Sequence, residues 1–289
     1  MPPSSWRVRL VLSALAGVFL IAAPSSSPAQ DEALLRATPD GRPLQLVFSE
    51  EFNSFRPWTG RSGTWRTRYG NESQTGLDGR TLPNNGELQL YVDPSISGPR
   101  GSLGLNPFSL RNGVLEITAV PTPREIRPFL NNFAYMSGAI TTQPSFSQTY
   151  GFFEMRARLP RGKGLWPAFW LLPLDQSWPP EIDVMESIGN PAQVFLNTHS
   201  TVTKQEGFER RIAPEEFHTF AVSWDPMNVI WYIDGRESGR QATPPDMHKP
   251  MYMLANLAVG GHWPGAPDGS TRFPATYEID FIRAYRFAR

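Results

Sequence analysis

Hydrophobic and polar residues alternate with a period of two along much of this chain. In the stretch 150-YGFFEMRARLP-160, the odd-numbered residues from Phe153 to Leu159 are apolar, whereas the even-numbered residues from Glu154 to Arg158 are charged. Such alternation places one face of a β-strand in a core and the other in solvent. The same alternation, or a short apolar run between turn residues, predicts strands at 46–49, 87–92, 113–119, 166–172, 192–200, 217–224, 229–235, 251–259 and 276–287.

The segments between these strands are rich in turn-forming residues, in keeping with 29 Pro and 24 Gly in the chain. We expect loops at 93–108, 121–133, 201–216 and 260–270. Many short strands without alternating helices favour an all-β fold, a sandwich of two antiparallel sheets. Residues 31–289 contain no repeat and no linker-like tract, and we interpret them as a single domain.

The N-terminal 30 residues have the pattern of an export signal. Arg7 and Arg9 precede the apolar run 10-LVLSALAGVFLIAA-23, which is followed by small residues suited to cleavage near residue 30. Fourteen residues are short for a membrane-spanning helix, which needs about 20. We therefore expect residues 1–30 to be a signal peptide of a secreted or periplasmic protein, with a retained N-terminal anchor as the alternative.

Charge and cysteine content narrow the classes of function. Lys plus Arg and Asp plus Glu number 27 each, so no net charge directs the chain toward nucleic acid or an anionic membrane. Cysteine is absent, which excludes disulfides and thiol chemistry. No cluster of His or Cys has metal-ligand spacing, so we expect no catalytic metal and no other cofactor for catalysis.

The stretch 180-PEIDVMESIGNP-191 places three carboxylates, Glu181, Asp183 and Glu186, within six residues. Like charges that face the same way repel and must be desolvated together, so the fold gains no stability from them. A short helix is one interpretation, because prolines precede the segment and Gly-Asn-Pro follows it. The alternation of acidic and apolar residues favours a strand.

On a regular strand Glu181 and Asp183 share a face, whereas Glu186 points to the other face. One extra residue near Val184–Met185 would form a β-bulge and return Glu186 to the face of its neighbours. The three acids would then face one cleft. Sequence spacing does not decide whether their separation suits a retaining or an inverting glycosidase.

At these residues the chain resembles glycoside hydrolase family 16, the clan of laminarinases, lichenases and agarases. The segment 181-EIDVME-186 is similar to the bulged ExDxxE signature of that family, whereas lichenase-type strands carry ExDxE. Further motifs match along nearly all of the presumed mature chain and occur in the same order as in the family. The sequences of several of these motifs are most similar to those of bacterial secreted endoglycanases that trim exopolysaccharide. The motifs are 49-SEEFN-53, 84-NNGELQLY-91, 149-TYGFFEMRARLPRGKGLWPAFWLLP-173, 217-FHTFAVSWDP-226, 231-WYIDG-235, 250-PMYMLANLAVGGHWPG-265 and 278-EIDFIRAY-285.

The resemblance implies a jelly-roll sandwich of two curved antiparallel sheets with the substrate cleft on the concave face. It also implies hydrolysis with retention of configuration. Glu181 would be the nucleophile, Glu186 the general acid and base, and Asp183 a hydrogen-bonding partner of the nucleophile. Ionised Glu181 would raise the pKa of Glu186 and keep it protonated until glycosylation removes that charge.

Aromatic residues are candidates for stacking against sugar rings. Trp166 and Trp170 are four residues apart, so on one strand they face the same way. Either of them could instead belong to the core. By resemblance both line the cleft, as does Trp263 in the loop after residue 259. Trp224 and Trp231 lie in alternating hairpin strands, and we expect them in the core.

Polar residues outside the acidic stretch are weaker candidates. By resemblance His199 lies near the catalytic strand, where it could hydrogen-bond Asp183 or a sugar hydroxyl, or could be an ordinary polar residue. Asn85, with Asn84 beside it, could contact a sugar or form a turn. Arg210 and Arg211 could meet an acidic glycan or be solvated loop charges.

Family members often carry a structural calcium ion away from the cleft. The matching positions here are Glu51 and Asp280, although isolated oxygen ligands are a weak signal in a sequence. The ion is an expectation that follows from the resemblance alone.

The partner that we expect is a polysaccharide, cut at internal β-linkages by a protein that acts as a monomer and, once the signal is removed, has no membrane partner. The sequence leaves open β-1,3- or mixed β-1,3/1,4-glucan and an acidic exopolysaccharide such as succinoglycan. A transglycosylase or a non-catalytic lectin-like protein on the same fold are the alternative functions.

Overall fold

The computed structural model describes residues 33–70 and 76–288, and within them the chain forms 18 β-strands and three 3-10 helices of three or four residues. The predicted signal peptide, residues 1–30, lies outside the described residues. The helices are Pro83–Asn85, Arg127–Leu130 and Pro245–Met247. The strands are β1 Leu44–Glu50, β2 Gln89–Tyr91, β3 Ser97–Gly98, β4 Gly101–Ser102, β5 Phe108–Arg111, β6 Val114–Pro121, β7 Tyr135–Ser137, β8 Ala139–Thr141, β9 Gly151–Arg158, β10 Leu165–Pro173, β11 Glu181–Glu186, β12 Gln193–Ser200, β13 Lys204–Arg211, β14 His218–Trp224, β15 Asn228–Ile233, β16 Arg236–Ala242, β17 Met251–Val259 and β18 Ala275–Phe287.

Two large sheets form the fold. The ten-stranded sheet runs β16-β15-β14-β9-β18-β6-β7-β2, with β1 also paired to β18 and β5 to β6. The six-stranded sheet runs β13-β12-β11-β10-β17-β8, and β3 and β4 form a small separate hairpin. The pairing is antiparallel except between β2 and β7, which are parallel. The predicted all-β, antiparallel sandwich is confirmed.

The main core consists of apolar side chains from both sheets. Phe153, Met155 and Ala157 of β9 have no exposed surface, as their alternation predicts. Trp224 and Trp231, predicted as core residues, are also fully buried. The two apolar faces therefore pack on each other, and this burial supplies most of the driving force for folding.

The prediction of a loop at 201–216 is wrong for its central part, which forms the edge strand β13. All eight of its residues pair with β12, from Ser200 opposite Lys204 to Gln193 opposite Arg211. The strand is exposed along most of its length, so no apolar face marks it in the sequence. The predicted loop 93–108 likewise contains the short hairpin of β3 and β4, and strands β5, β7, β8 and β16 were missed as well.

Within the described part of the chain, no helix has the length and apolar character needed to cross a membrane.

Candidate active site

The acidic stretch forms β11, so the strand interpretation is confirmed and the helix interpretation is wrong. Strand β11 lies between β10 and β12 inside the six-stranded sheet. It is therefore paired with a neighbouring strand on each side, which holds the positions of its side chains.

The predicted β-bulge is present. Asp183 lies opposite Asn197 and Glu186 lies opposite Phe195, so three steps along β11 correspond to two along β12. Val184 and Met185, which are consecutive, are both buried in the main core, with 1% and 0% of their surface exposed. The additional inward-facing residue returns Glu186 to the face that carries Glu181 and Asp183.

A tryptophan of the opposite sheet stabilises the bulge. The indole Nε1 of Trp231 donates a hydrogen bond to the main-chain oxygen of Asp183 at 2.8 Å. A bulge interrupts the regular ladder and leaves main-chain groups in need of partners. The sandwich core thus supports the irregularity that groups the three acids.

All three carboxylates line one cavity of about 560 Å³ on the outer face of the six-stranded sheet. Every predicted catalytic and sugar-binding residue borders it. The described residues that line it are Tyr69, Leu82, Pro83, Asn84, Asn85, Glu87, Trp166, Ala168, Trp170, Leu172, Trp178, Glu181, Asp183, Glu186, His199, Gln205, Asn256, Ala258 and Trp263.

A second cavity, of about 630 Å³, contains none of these residues. It is lined by Trp58, Arg68, Arg80 and Asp93 among others. Arg80 and Asp93 form an ion pair of 2.8 Å with both side chains buried. This cavity therefore lacks the grouped carboxylates that make the first one a candidate for chemistry.

Glu186 is held by two N–H donors. The Nε1 of Trp166 donates to Oε1 and the Nδ2 of Asn197 donates to Oε2, each at 2.9 Å. Burial and, next, the charge of Glu181 raise the pKa of Glu186 to about 7, although both hydrogen bonds act to lower it. A carboxyl with this pKa can both donate and accept a proton near neutral pH.

Glu181 and Asp183 share a buried environment with His199. The His199 Nε2 lies 3.6 Å from Oε1 of Glu181 and 3.2 Å from Oδ2 of Asp183. Burial, followed by the charge of Asp183, raises the pKa of Glu181, and burial, followed by the charge of Glu186, raises that of Asp183. The raised pKa values of both carboxyls favour a proton on one of the pair.

The predicted tryptophans differ in how much surface they offer. Trp263 is 42% exposed and meets Trp166 edge to face, with ring centroids 5.6 Å apart. Trp170 is only 7% exposed, and its Nε1 donates to Oδ1 of Asn256 at 2.7 Å. Trp166 and Trp263 can therefore stack against a sugar, whereas Trp170 chiefly supports the floor of the cavity.

Trp178 was missed by the sequence analysis. It is 66% exposed, and its Nε1 donates to Oε2 of Glu181 at 2.9 Å. Its ring also lies 6.2 Å from the imidazole of His199, tilted by 37°. The one signal in the sequence was an indole three residues before Glu181 in a proline-rich approach to β11. Tyr69, Gln205 and Asn256 come from distant segments and gave no such signal.

Asn85 borders the cavity, as does Asn84. The Nδ2 of Asn85 donates to Oε1 of Glu87 at 3.3 Å, and its main-chain oxygen accepts from the His262 N–H at 2.7 Å. Asn85 therefore links the loop before β2 to the loop that carries Trp263. Neither Arg210 nor Arg211 is among the described residues that line this cavity.

The residues expected to bind calcium do not fit a hard cation. Both carboxylate oxygens of Glu51 accept hydrogen bonds from Arg283 at 2.8 Å, and Asp280 is paired with Arg156. A guanidinium beside each carboxylate neutralises its charge and would repel a dication. The described ligand atoms that do group within 4.8 Å are those of Glu181, Asp183 and His199, in the cleft.

Comparisons with known proteins show the family to which the chain is similar. A family model described as glycosyl hydrolases family 16 matches residues 105–283. Endo-1,3-1,4-beta-glycanase ExsH of Rhizobium meliloti (strain 1021) is 44% identical over 255 residues, covering 86% of this chain and 53% of ExsH. Endo-1,3-1,4-beta-glycanase EglC of the same organism is 40% identical over 281 residues, covering 96% of this chain and 59% of EglC. The chain thus spans a little over half the length of these two relatives.

A solved structure extends the agreement to the fold. The catalytic domain of an endo-1,3-beta-glucanase (laminarinase) from Thermotoga petrophila RKU-1 superposes with a TM-score of 0.70 at 31% identity, covering 86% of this chain and 100% of that domain. The jelly-roll sandwich implied by the sequence resemblance is confirmed. With this fold, the matched residues and two relatives at 40% identity or more, the chain belongs to glycosyl hydrolases family 16.

Proposed function

We propose that this protein is an endo-acting β-glycanase that hydrolyses internal β-glycosidic bonds with retention of configuration. The observation that carries the proposal is the bulge in β11, which places Glu181, Asp183 and Glu186 together in an open cavity bordered by indoles. Retaining glycosidases use one carboxylate as nucleophile and a second as acid and base. Membership of the family supports the same reaction.

In the first step the carboxylate of Glu181 attacks the anomeric carbon of the bound sugar. Glu186 gives its proton to the glycosidic oxygen as the C–O bond breaks, and a glycosyl ester on Glu181 remains. Two N–H donors orient Glu186 for this transfer. Its pKa of about 7 keeps it protonated below neutral pH.

In the second step Glu186 takes a proton from water, which attacks the anomeric carbon and releases Glu181. Esterification removes the negative charge of Glu181, so the pKa of Glu186 falls and the group becomes a base. The same pair of residues thus serves both steps because each controls the charge of the other.

Asp183 would be the protonated member of its pair with Glu181, because burial raises its pKa. Its side chain is the more buried of the two, 2% exposed against 14% for Glu181. Glu181 also receives an N–H hydrogen bond from Trp178, which stabilises its ionised form. With the proton on Asp183, Glu181 would be the ionised member of the pair and could act as the nucleophile.

The substrate that we propose is a β-1,3- or mixed β-1,3/1,4-linked glucan, or an exopolysaccharide with such linkages, for example succinoglycan. The names of ExsH and EglC, endo-1,3-1,4-beta-glycanases, support the mixed linkage. Trp166, Trp178 and Trp263 offer apolar faces of the kind that stack against sugar rings. Product sizes from laminarin, lichenan and succinoglycan test this choice, since an endo-acting enzyme releases intermediate oligosaccharides before monomers.

Azide rescue tests the roles of the two glutamates. We expect Glu186→Ala to keep hydrolysing a dinitrophenyl β-glucoside oligomer, whose leaving group needs no acid, and to form a β-glycosyl azide when azide is added. Glu181→Ala should form the α-glycosyl azide. The surface variant Glu237→Ala is the control and should match the wild type. Inverted product configuration from the wild type, measured by proton NMR, would contradict the retaining mechanism.

We also propose that the protein is exported after cleavage near residue 30. The support is the Arg-flanked apolar run 10–23 and the small residues after it. Expression in a Gram-negative host followed by N-terminal sequencing of the periplasmic and extracellular protein should give a start close to residue 31. An intact N-terminus in the membrane fraction would contradict cleavage.

A further inference from the structure

Gly207 lies in the middle of the edge strand β13, directly opposite Asn197 of β12. Glycine weakens a strand, because it costs conformational entropy and has no side chain to pack. The backbone of Gly207 is not in the left-handed region, so other residues could adopt its conformation. Glycine at such a position indicates that another group approaches closely.

The approaching group is the side chain of Asn197. A Cβ atom on residue 207 would lie 2.0 Å from Oδ1 of Asn197 and 2.7 Å from the main-chain oxygen of Leu196. Asn197 is buried, with 7% of its surface exposed, and its Nδ2 donates to Oε2 of Glu186 at 2.9 Å. The space left by the missing side chain of Gly207 is therefore the space that Asn197 occupies when it reaches Glu186.

We infer that Gly207 is a positioning residue that acts through Asn197: the absence of a side chain at 207 lets the Asn197 amide lie against β13 and hold the carboxyl of Glu186. The inference rests on the proposed role of Glu186 as acid and base. According to this inference, Gly207 of the exposed edge strand β13 touches no reacting atom but influences the protonation of Glu186.

The consequence for pH follows from the direction of the hydrogen bond. An N–H donor favours the ionised carboxyl, so the bond from Asn197 lowers the pKa of Glu186 against the larger effect of burial. A side chain at position 207 would displace the amide and remove this contribution. Glu186 would then stay protonated to higher pH, and the alkaline limb of the activity profile would move upward.

Other groups around Glu186 also influence its titration, but the substitutions below leave them in place. Glu181 on β11 and His199 on β12 shift the pKa of Glu186 through their charges, and Asp183 and Glu87 line the same cavity. On β13 itself, Glu209 accepts a hydrogen bond from Gln193 at 2.7 Å. A shift of the limb can therefore be assigned to the Asn197 contact when it appears in both single variants.

A double-mutant cycle tests the inference. The kcat of wild type, Gly207→Ala, Asn197→Ala and the double variant is measured against pH on a soluble β-glucan. We expect each single substitution to lower kcat about 10-fold and to move the alkaline limb up by about one pH unit. The double variant should resemble Asn197→Ala alone, because Gly207 acts through the residue that has been removed.

Thermal unfolding separates this effect from simple strain. The contact of the new Cβ with the Leu196 oxygen persists when Asn197 is removed, whereas the contact with the Asn197 amide does not. Gly207→Ala should therefore still lower Tm in the Asn197→Ala background, by less than in the wild type, without a further move of the alkaline limb. Gly239→Ala is the matched control, because its Cβ would lie 2.4 Å from the ring of Phe208, the residue that follows Gly207. It should lower Tm without moving the limb.

Two results would overturn the inference: an alkaline limb that stays in place in Asn197→Ala, or additive effects of the two substitutions on kcat and on the limb. The first result decides the matter even if Gly207→Ala does not fold. Failure of the proposed function would look different, because Glu186→Gln would then retain its activity on the same glucan.

Discussion

Buried and half-buried carboxylates occur in two regions of this molecule with opposite surroundings. In and beside the ten-stranded sheet, three acidic side chains have arginine partners: Glu51 with Arg283, and Glu278 and Asp280 with Arg158 and Arg156. In the cleft, the described residues that line the cavity include no Lys or Arg, and the three acids of β11 face one another and His199. The same residue type is thus stabilised in one place and strained in the other.

The pKa values follow this difference. Burial acts to raise the pKa of Glu51, but the hydrogen bonds from Arg283 and Ser49 bring it below 4.5. Burial and mutual repulsion raise the pKa of Glu181, Asp183 and Glu186 without an arginine to oppose them. Grouping acids without cations lowers stability and creates a proton donor near neutral pH, which indicates a catalytic rather than a structural role.

The largest effect should come from substitution within the cleft. We expect Glu186→Gln and Glu181→Gln each to lower kcat on a natural β-glucan by 10³-fold or more, because a general acid contributes about 10²–10⁴-fold and the nucleophile at least as much. Glu51→Gln is the control from the arginine-paired region, and its kcat should equal that of the wild type. Equal losses in all three variants would remove the contrast between the regions.

The stability of the cleft should depend on pH in a defined direction. A pKa raised from 4.5 to about 7 means that Glu186 destabilises the folded state as the pH rises through this range, by on the order of 3 kcal/mol. Glu186→Gln lacks this loss, so its Tm relative to the wild type should be higher at pH 8 than at pH 5. If the Tm of Glu186→Gln relative to the wild type were lower at pH 8 than at pH 5, the raised pKa of Glu186 would be contradicted.

Substitutions in the arginine-paired region should change the free energy of unfolding but not kcat. Arg283 has only 5% of its side chain exposed, so Glu51→Gln leaves a buried guanidinium with one good acceptor fewer. We expect a loss of about 1–2 kcal/mol in the free energy of unfolding, measured in urea. Glu237→Gln breaks an exposed pair with Arg240 and should cost less than about 0.5 kcal/mol.

The smallest effect concerns Trp178. Trp178→Phe keeps an aromatic ring but removes the N–H bond to Glu181, which stabilises its ionised form. We expect a loss of a few-fold in kcat/KM and a shift of the acidic limb of the pH profile to higher pH, since Glu181 must be ionised to react. An unchanged acidic limb would show that this bond does not influence the nucleophile.

The sequence predicted the central features of the site because they are local. The bulge requires one residue more between Asp183 and Glu186 than regular alternation allows. This extra residue can be recognised within the six-residue segment 181–186. Trp166 and Trp263 were also found, by strand spacing and family resemblance. The contributions of Asn256 and Tyr69 were not predicted, because each depends on a segment that comes close only in three dimensions. Trp178 was missed although it lies only three residues before Glu181.

The calcium expectation illustrates the same limit. Glu51 and Asp280 matched positions in a family pattern, yet each side chain meets an arginine that the pattern does not specify. The edge strand β13 was missed because Phe208 is its one apolar side chain and no alternation marks it, although its main chain pairs along its full length. Main-chain pairing leaves no trace in the hydrophobic pattern.

The sequence by itself determined the all-β architecture and the grouping of three acids on one strand, since alternation and a one-residue bulge act over a few neighbouring positions. Only the tertiary structure decided which carboxylates receive an arginine and which do not, because a charge is stabilised by groups brought near it from distant parts of the chain. That distribution of partners separates a structural acid such as Glu51 from a candidate catalytic acid such as Glu186.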